Sequence, residues 1–155
     1  MKVREAMTPD PITIDPDALL GTAMEVMRSR RVRHLPVVDE AGRLMGIITD
    51  RDLRQAAFAP VLAERLDLRT QRLLQGLGRV LEDMRVRDAM TWGVITVHPD
   101  AGIVHGALLM FEQRVGSLPV IEDGKLVGVL TERDVLRALV TDQSLREFDP
   151  GADPW

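Results

Sequence analysis

The chain has 155 residues, 45% of them hydrophobic and 28% charged, and 20 basic against 24 acidic side chains give a formal net charge of −4. At this length folding removes roughly 70% of the unfolded surface from water, enough for a core without disulfides or metals. The absence of cysteine excludes disulfide, thiolate-zinc, iron–sulfur and cysteine-nucleophile chemistry, and an acidic balance with no Tyr and two Trp argues against nucleic acid as a partner.

Taken in chain order, residues 1–9 are charged and reach Pro9 before any apolar h-region forms, so no signal peptide is expected. Every longer apolar stretch is broken well short of the roughly 18 residues of a spanning helix. We therefore expect a cytoplasmic chain with no membrane partner. Residues 11–14 are short and β-branched and read as a strand. Asp17 stands where it caps a helix whose Leu20, Ala23, Met24 and Met27 recur at i, i+3, i+4 and i+7, a core-facing stripe. Residues 35–38 and 44–48 are apolar runs around Asp39-Glu40-Ala41-Gly42, which is hairpin chemistry. The second run leads through Gly46-Ile47-Ile48-Thr49-Asp50-Arg51-Asp52 into another helix.

Over residues 57–85, Leu62, Leu66, Leu73, Leu77, Val80 and Met84 recur at helical spacings, weakened by Gly76 and Gly78. This segment reads as an amphipathic helix that either covers the core or serves as a dimerisation or partner surface. Then the pattern returns. Val3-Arg4-Glu5-Ala6-Met7-Thr8 recurs as Val86-Arg87-Asp88-Ala89-Met90-Thr91, and Ile12-Thr13-Ile14 as Ile95-Thr96-Val97, both at an offset of 83. Arg31-Val32-Arg33-His34-Leu35-Pro36-Val37-Val38 returns as Arg114-Val115-Gly116-Ser117-Leu118-Pro119-Val120-Ile121. The second hairpin tightens to Glu122-Asp123-Gly124-Lys125, and Asp-Gly is a favoured two-residue turn. Gly128-Val129-Leu130-Thr131-Glu132-Arg133-Asp134 completes the second copy at an offset of 82. The chain is a tandem duplication, divided into a first repeat (1–56), a helical linker (57–85), a second repeat (86–141) and a tail (142–155) whose Pro150, Gly151 and Pro154 suggest loose order.

The twice-used Gly-x-x-Thr-x-Arg-Asp carries the chemistry. Thr followed three residues later by an acid resembles a capping box. Yet Asp is shorter than the usual Glu and reaches back less well, which leaves its oxygens open to a vicinal diol such as a ribose. Both readings stand on residue chemistry alone. His98 and His105 have no partner at i+3 or i+4 and no neighbouring carboxylate pair, so no metal site is expected. No nucleophile–base pair or Walker-type loop is present, and acids alternating with a cation at helix starts are poor acid–base design.

The Leu-Pro-Val strands, the Gly-x-x-Thr-x-x-Asp turns and their joint duplication resemble a pair of cystathionine-β-synthase-type (CBS) domains, and the layout is similar to small stand-alone bacterial CBS-pair proteins, including those of acetoin utilisation. The resemblance implies an α/β (α+β) fold of two β-α-β-β-α repeats related by a pseudo-twofold axis and joined by a helical linker, with two clefts for adenosine-containing ligands. It implies that the Asp accepts ribose hydroxyls, that the Thr lies beside phosphates, and that the segment around the opposite repeat's first strand frames adenine. One site would then use Thr49 and Asp52 with Met90, Thr91, Ile95 and Thr96; the other Thr131 and Asp134 with Thr8, Ile12 and Thr13. Arg33 and His34 stand where basic side chains of relatives meet phosphate, against Gly116 and Ser117 in the second copy. The first site is thus expected to prefer an anionic di- or triphosphate, and the second a less charged adenosyl ligand or none. His34 reads equally as a half-buried hydrogen-bonding residue, and Trp92 as a part-exposed packing residue or an adenine stack.

The expected function is a non-enzymatic regulatory module that needs no cofactor and binds AMP, ADP, ATP or S-adenosylmethionine as a regulatory ligand. It would form a homodimer and signal in trans to an effector protein that the sequence does not name. The alternative is an interaction scaffold with vestigial clefts that docks through the middle helix.

Overall fold

A computed structural model of the chain describes residues 1–63 and 83–141. The elements run α1 (Val3–Ala6), β1 (Thr8–Pro9), α2 (Leu20–Arg30), β2 (His34–Val38), β3 (Leu44–Thr49), α3 (Asp50–Ala63), α4 (Val86–Ala89), β4 (Thr91–Trp92), α5 (Ile103–Gln113), β5 (Ser117–Glu122), β6 (Lys125–Thr131) and α6 (Glu132–Thr141). They form two three-stranded sheets, β2-β3-β4 and β1-β6-β5. Among the described residues no helix is long and apolar enough to cross a membrane. The amphipathic pattern of Leu66, Leu73, Leu77 and Val80, and the tail, lie outside the described residues.

The compact units do not follow the order of the repeats. One comprises Pro11–Val94 with Gly124–Leu126; the other comprises Met1–Asp10, Ile95–Asp123 and the chain from Val127 on. Each repeat thus lends its opening segment to the other's core. In the first of these units, the N–H groups of Val86 and Arg87 donate to the carbonyls of Ala18 and Pro16 at 2.8 and 2.9 Å. In the second, those of Val3 and Arg4 donate to Ala101 and Pro99 at 2.8 and 2.9 Å. Val3 and Val86 are fully buried, each worth roughly 1.5–3 kcal/mol of apolar burial.

The core of the first unit gathers Ile14, Leu20, Ala23, Met27, Leu35, Val37, Ile48, Leu53, Val86 and Met90. That of the second gathers Val3, Val97, Met110, Leu118, Val120, Leu130 and Val135. Leu20, Ala23 and Met27 face inward as their spacing requires, whereas Met24, expected in the same stripe, is exposed. The stripe is narrower than the periodicity suggests because only one face of α2 meets the sheet. Both α2 and α5 end on an arginine in the left-handed region, Arg31 and Arg114, each at φ 55°.

Two local expectations are corrected. Asp17 does not cap α2: the helix begins after Leu19 without a side-chain cap, while the Asp17 carboxylate accepts from Arg87 Nη2 and its N–H donates to Asp15 Oδ1 at 2.7 Å. The residues 11–14 strand reduces to one parallel bridge, Ile14 to Val37, as Val97 bridges Val120 in the other copy. Ile14 donates to Pro36 O at 3.0 Å and accepts from the Val38 N–H at 3.1 Å. The pairing that closes each sheet comes instead from the two-residue strands β1 and β4, too short for any periodicity. The hairpin reading holds: Asp123 and Gly124 have φ of 49° and 75°, as a type I′ turn demands.

Candidate functional site

The repeated glycine of the turn motif exists for a close backbone approach. β4 pairs with β3 at Gly46↔Trp92 and Ile47↔Thr91, and a Cβ on Gly46 would stand 2.4 Å from the Thr91 carbonyl oxygen. β1 pairs with β6 at Pro9↔Gly128, where a Cβ would meet the Met7 sulfur at 2.5 Å and the Thr8 oxygen at 3.1 Å. The glycines therefore let Thr91 and Thr8 lie directly on the strands that end in Thr49 and Thr131.

At each strand end the Thr and Asp form a complete reciprocal cap. Thr49 donates its N–H and its hydroxyl to Asp52 Oδ2 at 2.8 and 2.7 Å, and the Asp52 N–H donates to Thr49 Oγ1 at 3.3 Å. Thr131 and Asp134 repeat this at 2.9, 2.6 and 3.3 Å. The expectation that aspartate is too short to reach back is thus wrong. Its carboxylate sits close because the strand runs into the helix without an intervening residue. One oxygen of each Asp is spent on the Thr, and only the other can serve a ligand. The Asp50 N–H donates to the Arg33 carbonyl at 3.0 Å, and Glu132 N–H to Gly116 O at 3.1 Å. This tie, with His34 opposite Thr49 in the β2–β3 register, sets Arg33 and His34 beside the first turn.

Among the residues singled out, Thr49, Asp52, Arg33, His34, Met90 and Thr91 are brought into one unit, and Thr131, Asp134 and Thr8 into the other. Ile95 and Thr96 belong to the unit of Thr131, and Ile12 and Thr13 to that of Thr49. Thr8, Thr91, Arg33, Thr13 and Thr96 are exposed, as are Ile12 and Ile95 at matched positions. Met90 is buried, its thioether near Gly46. Trp92 is 55% exposed. Sequence reasoning missed Arg137, whose Nη2 donates to Asp134 Oδ1. The signal available was its place three residues after Asp134, where the first copy has Gln55.

His98 also differs from expectation. It has no carboxylate pair beside it in sequence, only Asp100, but folding adds Glu122 and gathers His98, Asp100 and Glu122 with donor atoms within 4.8 Å. Arg4 and Lys2 already occupy these acids: Arg4 Nε and Lys2 Nζ each lie 3.0 Å from Asp100 Oδ1, and Arg4 Nη2 lies 3.0 Å from Glu122 Oε1. The Arg4 hydrogen bond, then that of Lys2, holds the Asp100 carboxyl below its ordinary range, and Arg4 is correspondingly raised, by Asp100 first. The cluster fastens the N-terminal segment to its unit.

The CBS domain profile matches residues 3–59 and 86–141. The chain belongs to the CBS domain family. This CBS pair is 34% identical over 139 residues to the CBS domain-containing protein DDB_G0289609 of Dictyostelium discoideum, covering 89% of the chain and 90% of that protein. The next two curated relatives are longer, and the chain spans 25% and 22% of their length. Among solved structures, CBSX2 of Arabidopsis thaliana in complex with AMP superposes with a TM-score of 0.70 at 28% identity, over 90% of this chain and 96% of that one. The CBS domain pair of protein MJ0100, in complex with 5′-methylthioadenosine and S-adenosyl-L-methionine, gives 0.70 and 28% over the same shares.

Proposed function

We propose that this CBS pair is a non-catalytic regulatory module that binds adenosine-containing ligands at its two Thr-x-x-Asp turns and reports their occupancy to a separate cytoplasmic effector. The observation that carries this reading is the first turn. Thr49 donates both its N–H and its hydroxyl to Oδ2 of Asp52, so the cap itself makes no use of Oδ1. A half-buried carboxylate oxygen held still by a cap is an acceptor prepared for a hydroxyl. Thr91 and the Arg33–His34 pair stand on the neighbouring strands, and the complexes of CBSX2 with AMP and of MJ0100 with two adenosyl compounds supply the ligand class. Residues so engaged immobilise hydroxyls and N–H groups rather than move protons, so the response is a population shift, limited by the ligand's differential affinity for two arrangements of the protein.

Isothermal titration of ligand-stripped protein with AMP, ADP, ATP and S-adenosylmethionine tests this, alongside Asp52→Ala and Asp134→Ala. Binding that Asp52→Ala abolishes, with folding intact, is the expected result; no heat with any of the four would overturn it.

A second reading, self-association, is favoured by one surface. On α5, Val104, Leu108 and Phe111 lie exposed along one face, and on α6 Leu136, Leu139 and Val140 do the same, with Phe111 81% exposed. The matched first-copy positions carry Gly21, Glu25, Arg28, Arg54, Ala57 and Phe58, so the contrast in charge lies at Leu108, Phe111 and Leu136. On this reading a homodimer forms through this apolar face, and the association state of a Phe111→Glu variant tests it.

A further inference from the structure

We infer that Arg137 is a latch on the second turn, so that the Asp52 turn fills first and the Asp134 turn accepts a ribonucleoside only by displacing an internal cation. The inference rests on the reading of both turns as ligand sites and adds an order of occupancy to it.

Both oxygens of Asp134 are engaged within the protein. Oδ2 accepts from the N–H and hydroxyl of Thr131 at 2.9 and 2.6 Å, and Oδ1 accepts from Arg137 Nη2. The aspartate side chain is 4% exposed and the arginine side chain 64%, so the guanidinium covers the carboxylate from the solvent side. Three residues along a helix is the spacing that sets two side chains on one face. The first copy lacks the device: Gln55 stands in the matched position, and Arg54 beside it pairs with Asp50 at 3.1 Å. A hydrogen bond between charged partners is about twice as strong as a neutral one, so a ribose hydroxyl reaching Asp134 loses part of its binding energy in replacing Arg137. At Asp52 no arginine stands three residues on to be replaced.

The asymmetry therefore has a cause separate from the Arg33–His34 contrast, and the two are separable by charge. A basic pair beside the first turn favours anionic ligands, whereas the latch disfavours any vicinal diol. Neutral adenosine isolates the latch. Because the exposed end of the Arg137 ion pair is screened by salt, adenosine affinity at the second turn rises with ionic strength as long as Arg137 is present.

The test is calorimetric titration of the full chain with adenosine, at low and high salt, on wild type, Asp52→Ala, Asp52→Ala/Arg137→Gln and Gln55→Arg, with thermal melts confirming folding. We expect wild type to show a stronger site that Asp52→Ala removes. Adding Arg137→Gln to that variant then tightens the remaining site roughly tenfold and abolishes its salt response, and Gln55→Arg weakens the first site. An unchanged or weaker second site in Asp52→Ala/Arg137→Gln, with the first site binding normally, overturns the latch alone. No adenosine or AMP bound by wild type or by any folded variant overturns the ligand-site reading together with it.

Discussion

The repeated motif does two jobs at the scale of single residues. A threonine and an aspartate three residues apart cap a helix through one carboxylate oxygen, and at Asp134 the other oxygen accepts from Arg137, three residues further on. Charged residues elsewhere hold the termini of the fold. Asp100 is kept below the ordinary carboxylate range by Arg4 and then Lys2, and Asp39 by the Arg43 N–H and then its guanidinium. Since the folded-state values lie below those of the unfolded chain, this stabilisation is complete above about pH 4 and is lost as pH falls through the depressed values. Asp100→Asn should accordingly lower the urea midpoint by a small, constant amount between neutral pH and pH 5, and the difference from wild type should close under more acidic conditions. These groups are exposed, so the effect belongs to the modest range of surface pairs.

At the scale of elements, the two short strands β1 and β4 hold the turns in place, and each lies over a glycine. The two glycines are not equally replaceable. A methyl group at Gly46 strikes the Thr91 backbone oxygen, while at Gly128 its nearest neighbour is the flexible end of Met7. Gly46→Ala should therefore destabilise by about 1–3 kcal/mol, the range of an overpacked core, and Gly128→Ala by visibly less in the same urea titration. Equal costs would mean that β4 can slide as easily as Met7 can turn. The helices were legible because their apolar spacing is long and regular, as at Leu20, Ala23 and Met27. β1 and β4 were not, because two residues carry no period and their pairing partners lie more than 40 residues away in sequence.

Over the whole molecule, the chain trades its opening segments between two cores: Val3 is buried with Leu118 and Leu130, and Val86 with Leu35 and Ile48. The duplicated sequence is thus not a duplicated pair of independent pieces. The two units also differ in what they show to solvent, since α5 and α6 present Leu108, Phe111 and Leu136 where the first copy has Glu25, Arg28 and Arg54. This apolar surface is the ground for the proposed self-association. Light scattering at micromolar concentration should give a dimer for wild type and a monomer for Phe111→Glu; a wild-type monomer would remove self-association.

The tandem repeat, the membership of the fold class and the identity of the Thr-x-x-Asp turns follow from residue order alone, because they are carried by runs of neighbouring residues whose spacing survives any folding. Which core Val3 joins, why Gly46 must lack a side chain, that aspartate reaches its cap, that Glu122 joins His98 and Asp100, and that Arg137 bonds Asp134 were decided only by the tertiary structure. Each of these depends on atoms brought within about 3–5 Å of each other by packing or by a local backbone path, and spacing along the chain does not encode such distances.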